Sequence, residues 1–332
     1  MTKRYYIKQA LRHESGDRVP YRIQMTGDVY RLYGDQLLKD YYNPEVMDDY
    51  QNGSITKEDA VNLSIGNYMT AVPAAWWQWG PYPESYSDPD EPPTEMPPIV
   101  LTGDQEEFTR KAKFLKEKYH VYISCLIYGS HWEKAYFTRG IENFLADIAA
   151  FPEFAQELLD FIISHNMEML QETVKCPYYD GILLGSDWGT QNDLIMSPET
   201  WRKMIKHGEK IQYDLIKSAG KDVMVHSCGR VVRVLDDLVE LGLDILNPVQ
   251  PECMDLQYLK DNYGRHLTFW GGISTQGVLP FGTPEEVVAE TQRVIDIMSK
   301  NGGYITCPSQ EIQDDVSYEN LKALIDTARA NG

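Results

Sequence analysis

His226 and Cys228, in the run Asp222-Val-Met-Val-His-Ser-Cys-Gly229, carry the clearest chemistry in the sequence. Val223, Met224 and Val225 predict a short buried strand that Gly229 ends. Side chains alternate along a strand, so His226 and Cys228 share a face and Ser227 takes the other. An imidazole and a thiol side by side at a strand end make half of a tetrahedral zinc site. The competing reading is a core histidine beside an inert small hydrophobe. Position favours the metal: the pair sits where a strand gives way to a loop, the usual place for a site in an α/β barrel. A zinc site needs a third protein ligand. Cys307, in Tyr304-Ile-Thr-Cys-Pro-Ser-Gln-Glu311, is the first choice, with Gln310 and Glu311 as oxygen alternatives. Cys253, Cys125 and Cys176 are weaker candidates.

Two carboxylates stand at similar places. Asp187, in Gly185-Ser-Asp-Trp-Gly-Thr-Gln191, ends a strand and could orient a ligand, bind substrate or act as a base. The alternative is a turn aspartate bonded to its own backbone. Glu133 follows another strand in Tyr128-Gly-Ser-His-Trp-Glu133, where His131 reads as an ordinary surface histidine. Trp188, Asn247, Gln250, Trp270 and Gln276 lie around strand ends and are candidate substrate contacts. Gly271-Gly272 reads as a tight turn, too short for a phosphate loop.

These residues need elements to hold them. Short apolar runs alternate with amphipathic segments, the signature of β/α units and a parallel sheet. Expected strands are Val19–Met25, a weak one before Trp76, Val121–Ile127, Gly181–Gly185, Asp222–His226, Asp244–Val249, Leu267–Trp270 and Gly303–Cys307. Eight units over some 300 residues predict an α/β protein, a (β/α)8 TIM barrel, better than an open sheet. Thr283-Pro-Glu-Glu286 and Ser197-Pro-Glu-Thr200 open helices between them. Residues 76–98 break the pattern, starting Trp76-Trp-Gln-Trp79 and rich in Asp and Pro. They read as a long loop without strand or helix, and Trp76, Trp77 and Trp79 make it a candidate lid over substrate. The expected organisation is therefore a single barrel domain over residues 1–332, with an N-terminal extension and a lid loop at 76–98.

Composition narrows the partners. With 31 basic and 50 acidic residues the net charge is −19, which argues against nucleic acid. No apolar run reaches the roughly 20 residues of a membrane span, and the N-terminus has no signal-like core. Five scattered cysteines argue against a disulfide framework and for a reducing, cytoplasmic setting.

Several spaced motifs together resemble the uroporphyrinogen decarboxylase superfamily. They are Arg139-Gly-Ile-Glu-Asn-Phe-Leu145, Gly185-Ser-Asp-Trp-Gly-Thr-Gln-Asn192, His226-Ser-Cys-Gly229, Asp244-Ile-Leu-Asn-Pro-Val-Gln250, Gly271-Gly-Ile-Ser274 and Glu319-Asn-Leu-Lys-Ala323. The similarity is greatest to the methyltransferase branch, which holds methylcobamide:coenzyme M methyltransferases and corrinoid-dependent O-demethylase methyltransferases. It implies a barrel whose mouth binds Zn(2+) through the His-x-Cys pair and a later cysteine. The family's later-cysteine position falls here on Gln310, three residues past Cys307. The decarboxylase branch is a poorer match, since Tyr21-Arg-Ile-Gln-Met-Thr-Gly-Asp28 lacks its arginine pair. The resemblance implies methyl transfer between a small donor or acceptor (a methoxy-aromatic, another methyl donor, or a thiol) and a corrinoid such as cobalamin, free or on a partner corrinoid protein. A non-redox decarboxylase or lyase and a non-catalytic corrinoid binder are the alternatives, and a homodimer stays open.

Overall fold

From residue 121 onwards the β-branched and aromatic runs become strands where expected. The computed structural model describes every residue except Pro89 and Tyr128. Those two positions, in the 76–98 segment and the Tyr128–Glu133 run, lie outside the described residues. Among the described residues the strands are β1 (Met69–Pro73), β2 (Trp76–Trp79), β3 (Ile99–Thr102), β4 (Tyr122–Ile127), β5 (Gly181–Gly185), β6 (Asp222–His226), β7 (Ile245–Val249), β8 (Thr268–Ile273) and β9 (Tyr304–Pro308). Seven form one sheet in the order β1-β4-β5-β6-β7-β8-β9, and β2 with β3 forms a separate two-stranded ribbon. Pairings β4–β5, β5–β6, β7–β8 and β8–β9 are parallel. This is an α/β fold with a seven-stranded sheet and N-terminal helices.

The chain divides into two compact units, one of residues 1–70, 115–122 and 245–332, the other of 71–114 and 123–244. In the first, the expected strand Val19–Met25 is replaced by two isolated bridges, Tyr21 to Thr306 and Met25 to Ile312. The physical reason lies between them. The Ile23 N–H is taken by the Asn67 side-chain oxygen at 2.8 Å, and the Asn67 amide returns to the Ile23 carbonyl at 3.0 Å. A side chain thus stands in for a ladder. The Tyr21 carbonyl also accepts the Tyr68 N–H at 3.0 Å. Gly271 and Gly272 correct another expectation, because both lie inside β8 and not in a turn. Gly271 has φ +143°, and a Cβ there would meet the Val249 nitrogen at 2.5 Å, so only glycine lets β8 approach β7 so closely. The helix Pro284–Met298 starts with the capping box of Thr283 and Glu286 and buries Val287, Val294 and Ile295. Val288, on the same helix, is exposed.

In the second unit, residues 76–98 are not strandless. β2 pairs antiparallel with β3, Trp76 opposite Thr102 and Trp79 opposite Ile99. The alternation of a strand packs these rings: Trp77 is buried, its indole N–H donating to Asn166 Oδ1 at 2.7 Å, and Lys134 Nζ sits 4.3 Å from its ring centre. Trp79 stacks on Phe161 and donates to the Lys134 carbonyl at 3.0 Å. The proline-rich stretch between the two strands is held by Arg139, a buried cation paired with Asp147 at 2.7 Å that donates to the carbonyls of Tyr86 and Asp88.

Candidate metal centre

β5 and β6 run parallel in register, Gly181 opposite Asp222 and Gly185 opposite His226. Past the strand ends, the two following loops stay laced together. Ser186 N–H donates to the His226 carbonyl at 2.8 Å, Trp188 N–H to Ser227 Oγ at 3.0 Å, and Arg230 N–H to the Thr190 carbonyl at 2.8 Å. Two glycines permit this contact. A Cβ on Gly189 would meet the Cys228 carbonyl oxygen at 2.5 Å, and Gly229 sits at φ +77° against the Gly189 backbone. Ser227 therefore points into the protein as a loop clamp, while its neighbours His226 and Cys228 share the open side.

The result is a cluster of three donors. Cys228 Sγ lies 3.3 Å from His226 Nε2, and Asp187 Oδ1 lies 3.9 Å from the same nitrogen. Asp187 Oδ1 also accepts the Cys228 backbone N–H at 2.8 Å, which fixes the carboxylate beside the thiol. The three ligand atoms fall within 4.8 Å of one another, and among the described residues this is the one group of three such side chains. All three residues are partly accessible, as a site that meets a ligand requires. The His226–Cys228 pair is at the spacing of two ligands of one ion, Asp187 stands wider at 3.9 Å, and the three together could hold a metal ion.

Behind the donors lies a second set of groups, all buried. Glu133 sits in the first turn of the helix His131–Arg139 and accepts the Ser130 N–H at 3.3 Å. Burial, then the charge of Asp187, pushes its carboxyl up to about 7, so it holds and releases a proton near neutrality. Glu209 is fully buried and is pushed up to about 8, by burial first and by Glu133's charge in addition. His131, expected at the surface, is fully buried instead, with Nδ1 3.4 Å from Glu209 Oε1, and burial pushes it down to about 4. The Ser186 hydroxyl lies 2.6 Å from Ser130 Oγ and 3.3 Å from Glu209 Oε1. Ser186 Oγ is the donor in both contacts, and the Ser130 contact is the shorter.

The other expected residues are placed as follows. Trp188 is buried against Trp201, its indole N–H without a hydrogen-bond partner, and Trp76 is in the same state. Cys307, on β9, is buried; its Sγ accepts the Gln24 amide at 3.3 Å, and burial pushes the thiol up to about 12. Asn247 is buried and donates to the Trp270 carbonyl at 3.1 Å. Gln250 and Trp270 are buried, Gln310 is partly accessible, and Gln276 and Glu311 are exposed. Sequence reasoning did not single out Glu209, Ser130 or Ser186. Glu209 stands in the charged run Lys206-His-Gly-Glu-Lys210, which reads as a solvated helix face.

A methyltransferase from Methanosarcina mazei has a similar structure, with TM-score 0.68 and 18% identity over 99% of both chains. At that identity the likeness is one of fold. A 7,8-dihydropteroate synthase from Vibrio fischeri ES114 is far less similar, with TM-score 0.34 and 12% identity over 82% of this chain and 84% of that one. No curated protein sequence matches significantly. Residues 127–331, more than half of the chain, match the family described as uroporphyrinogen decarboxylase (URO-D), and the chain belongs to that family.

Proposed function

We propose that the protein is a zinc-dependent methyltransferase that moves a methyl group between a small molecule and a corrinoid, free or carried by a partner protein. The observation that carries this reading is the Asp187–His226–Cys228 donor set at the ends of β5 and β6. Asp187, His226 and Cys228 would hold a zinc ion, which would supply Lewis acidity to the oxygen or sulfur that gives or receives the methyl group.

The chain's own residues supply the rest. Cleaving a methyl ether needs a proton for the departing oxygen, and methylating a thiol releases one. Glu133, titrating near 7 beside Asp187, is placed to give or take that proton. The Glu209–Ser186–Ser130 hydrogen bonds hold a second proton behind it. Trp76 and Trp188, each with a buried indole N–H lacking a partner, are the aromatic residues we assign to substrate. The methoxy-aromatic class suits such walls. The β2–β3 ribbon carrying Trp76, Trp77 and Trp79 serves in this reading as the cover that keeps water from the reaction.

The test follows cob(I)alamin methylation by absorbance with methoxy-aromatics, methylamines and methyl thioethers as donors, and methylcob(III)alamin demethylation with thiols. Turnover with one class, lost in Cys228→Ala, supports the proposal. No turnover in either direction with zinc-loaded protein contradicts it.

A further inference from the structure

Leu126 breaks the burial of the sheet. Every other residue of β4, β5, β7, β8 and β9 is buried, whereas Leu126 is 38% exposed. Register fixes the face on which it stands. Leu126 pairs with Leu183 of β5, and Leu183 with Met224 of β6. Residues paired across parallel strands share a face, and so do Met224 and His226, two positions apart. Leu126 therefore stands on the same face as His226, two strands away and one pleat earlier. At about 4.8 Å per strand and about 3.3 Å per residue, their Cα atoms are roughly 12 Å apart.

Gly185 lies between them, opposite His226 on the intervening strand. A Cβ on Gly185 would meet Glu133 Oε2 at 2.5 Å, so the Glu133 carboxylate takes the place that a side chain would fill there. From β6 to β4 this face thus carries a metal donor, a carboxylate and an open apolar side chain, in that order. A leucine left open in a buried sheet keeps apolar surface in water that its neighbours have lost, and an apolar ligand lying on it removes that surface. A substrate whose reacting oxygen or sulfur lies at the Asp187–His226–Cys228 set has this span to fill towards β4. One aryl ring with its ether oxygen reaches across it, and a methylamine or dimethyl sulfide is too short. We infer that Leu126 is the far wall of the substrate site and selects methyl donors with an apolar body the size of an aryl ring. The inference rests on the methyl-transfer reading for the reacting atom, and on strand register for the wall.

Fluorine NMR titration of the full chain with 4-fluoroanisole, in the presence of zinc, tests it. The wild type binds the probe. Leu126→Ala weakens that binding roughly fivefold to tenfold, because apolar contact is lost. Leu126→Trp fills the space and abolishes binding, with zinc content and melting temperature at wild-type levels because Leu126 is exposed. Should Leu126→Trp not fold, the Leu126→Ala affinity decides alone. Cob(I)alamin methylation separates the wall from the reaction. Binding that depends on Leu126 without methyl transfer leaves the wall standing and sinks the methyl-transfer reading. Methyl transfer from methylamine or dimethyl sulfide, with no binding of 4-fluoroanisole, does the reverse. No binding to the wild type, or equal affinity in wild type and Leu126→Ala, overturns the inference.

Discussion

Cys228 Sγ and His226 Nε2, 3.3 Å apart, are close enough to share one ion. His226→Ala and Cys228→Ala should therefore each lose most of the bound zinc while staying folded, read by elemental analysis beside circular dichroism. The third donor is decided by a pair of variants. Asp187→Asn is expected to lower zinc retention, and Cys307→Ser to lower it less; the reverse order would restore the thiol that the sequence favoured. Glu209 makes a different prediction. Its folded value of about 8 lies above the ordinary 4.5, so the folded state holds a proton that the unfolded chain has released. Its stabilisation is complete below pH 4.5 and is lost as pH rises to about 8. His131, pushed down to about 4, acts in the opposite sense, losing stability as pH falls below 6.5. From pH 6.5 to 8 His131 contributes little, and comparison with the wild type isolates Glu209. Denaturant unfolding should show Glu209→Gln removing about 2 kcal/mol of the decline across that range. At this scale the His-x-Cys spacing was legible, because strand alternation alone puts both side chains on one face. The buried acid pair was not, because nothing in Lys206-His-Gly-Glu-Lys210 tells a buried glutamate from a solvated one.

The β2–β3 ribbon fixes what its tryptophans do for stability. Trp77→Ala should cost about 3–5 kcal/mol, since it removes a buried ring and strands the Asn166 side chain inside the protein. Its zinc content should stay at the wild-type level. Trp76→Phe removes an indole N–H that has no partner and is expected to leave stability nearly unchanged while raising KM for the methyl donor. An unchanged KM would mean that the ribbon only covers the helices beneath it. The ribbon escaped the sequence reading because Trp76-Trp-Gln-Trp79 has no polar alternation, and its partner Ile99–Thr102 comes after a run of prolines. β5, β6 and β9 were legible as short apolar runs closed by turn residues. Val19–Met25 alternates Val, Tyr, Ile and Met with other residues as a strand would, yet the Asn67 side chain takes its ladder bonds, a long-range substitution that no local pattern announces.

Across the whole molecule, alternating β and α segments were enough to predict the α/β fold and its parallel pairings. They did not predict how the strand ends would be arranged, because that depends on glycines such as Gly189 and Gly229 that allow two loops to touch. The net charge of −19 gives a further check on the choice of partners: nucleic acid should bind weakly or not at all at any ordinary salt concentration. The account as a whole stands on one sulfur, one imidazole and one carboxylate holding one metal ion. Zinc K-edge absorption on the purified full-length protein measures that directly. The account predicts bound zinc with sulfur at about 2.3 Å and nitrogen or oxygen at about 2.0–2.2 Å, with the sulfur contribution falling in Cys228→Ala. Absence of bound zinc in the wild type, or an unaltered sulfur contribution in Cys228→Ala, would contradict it.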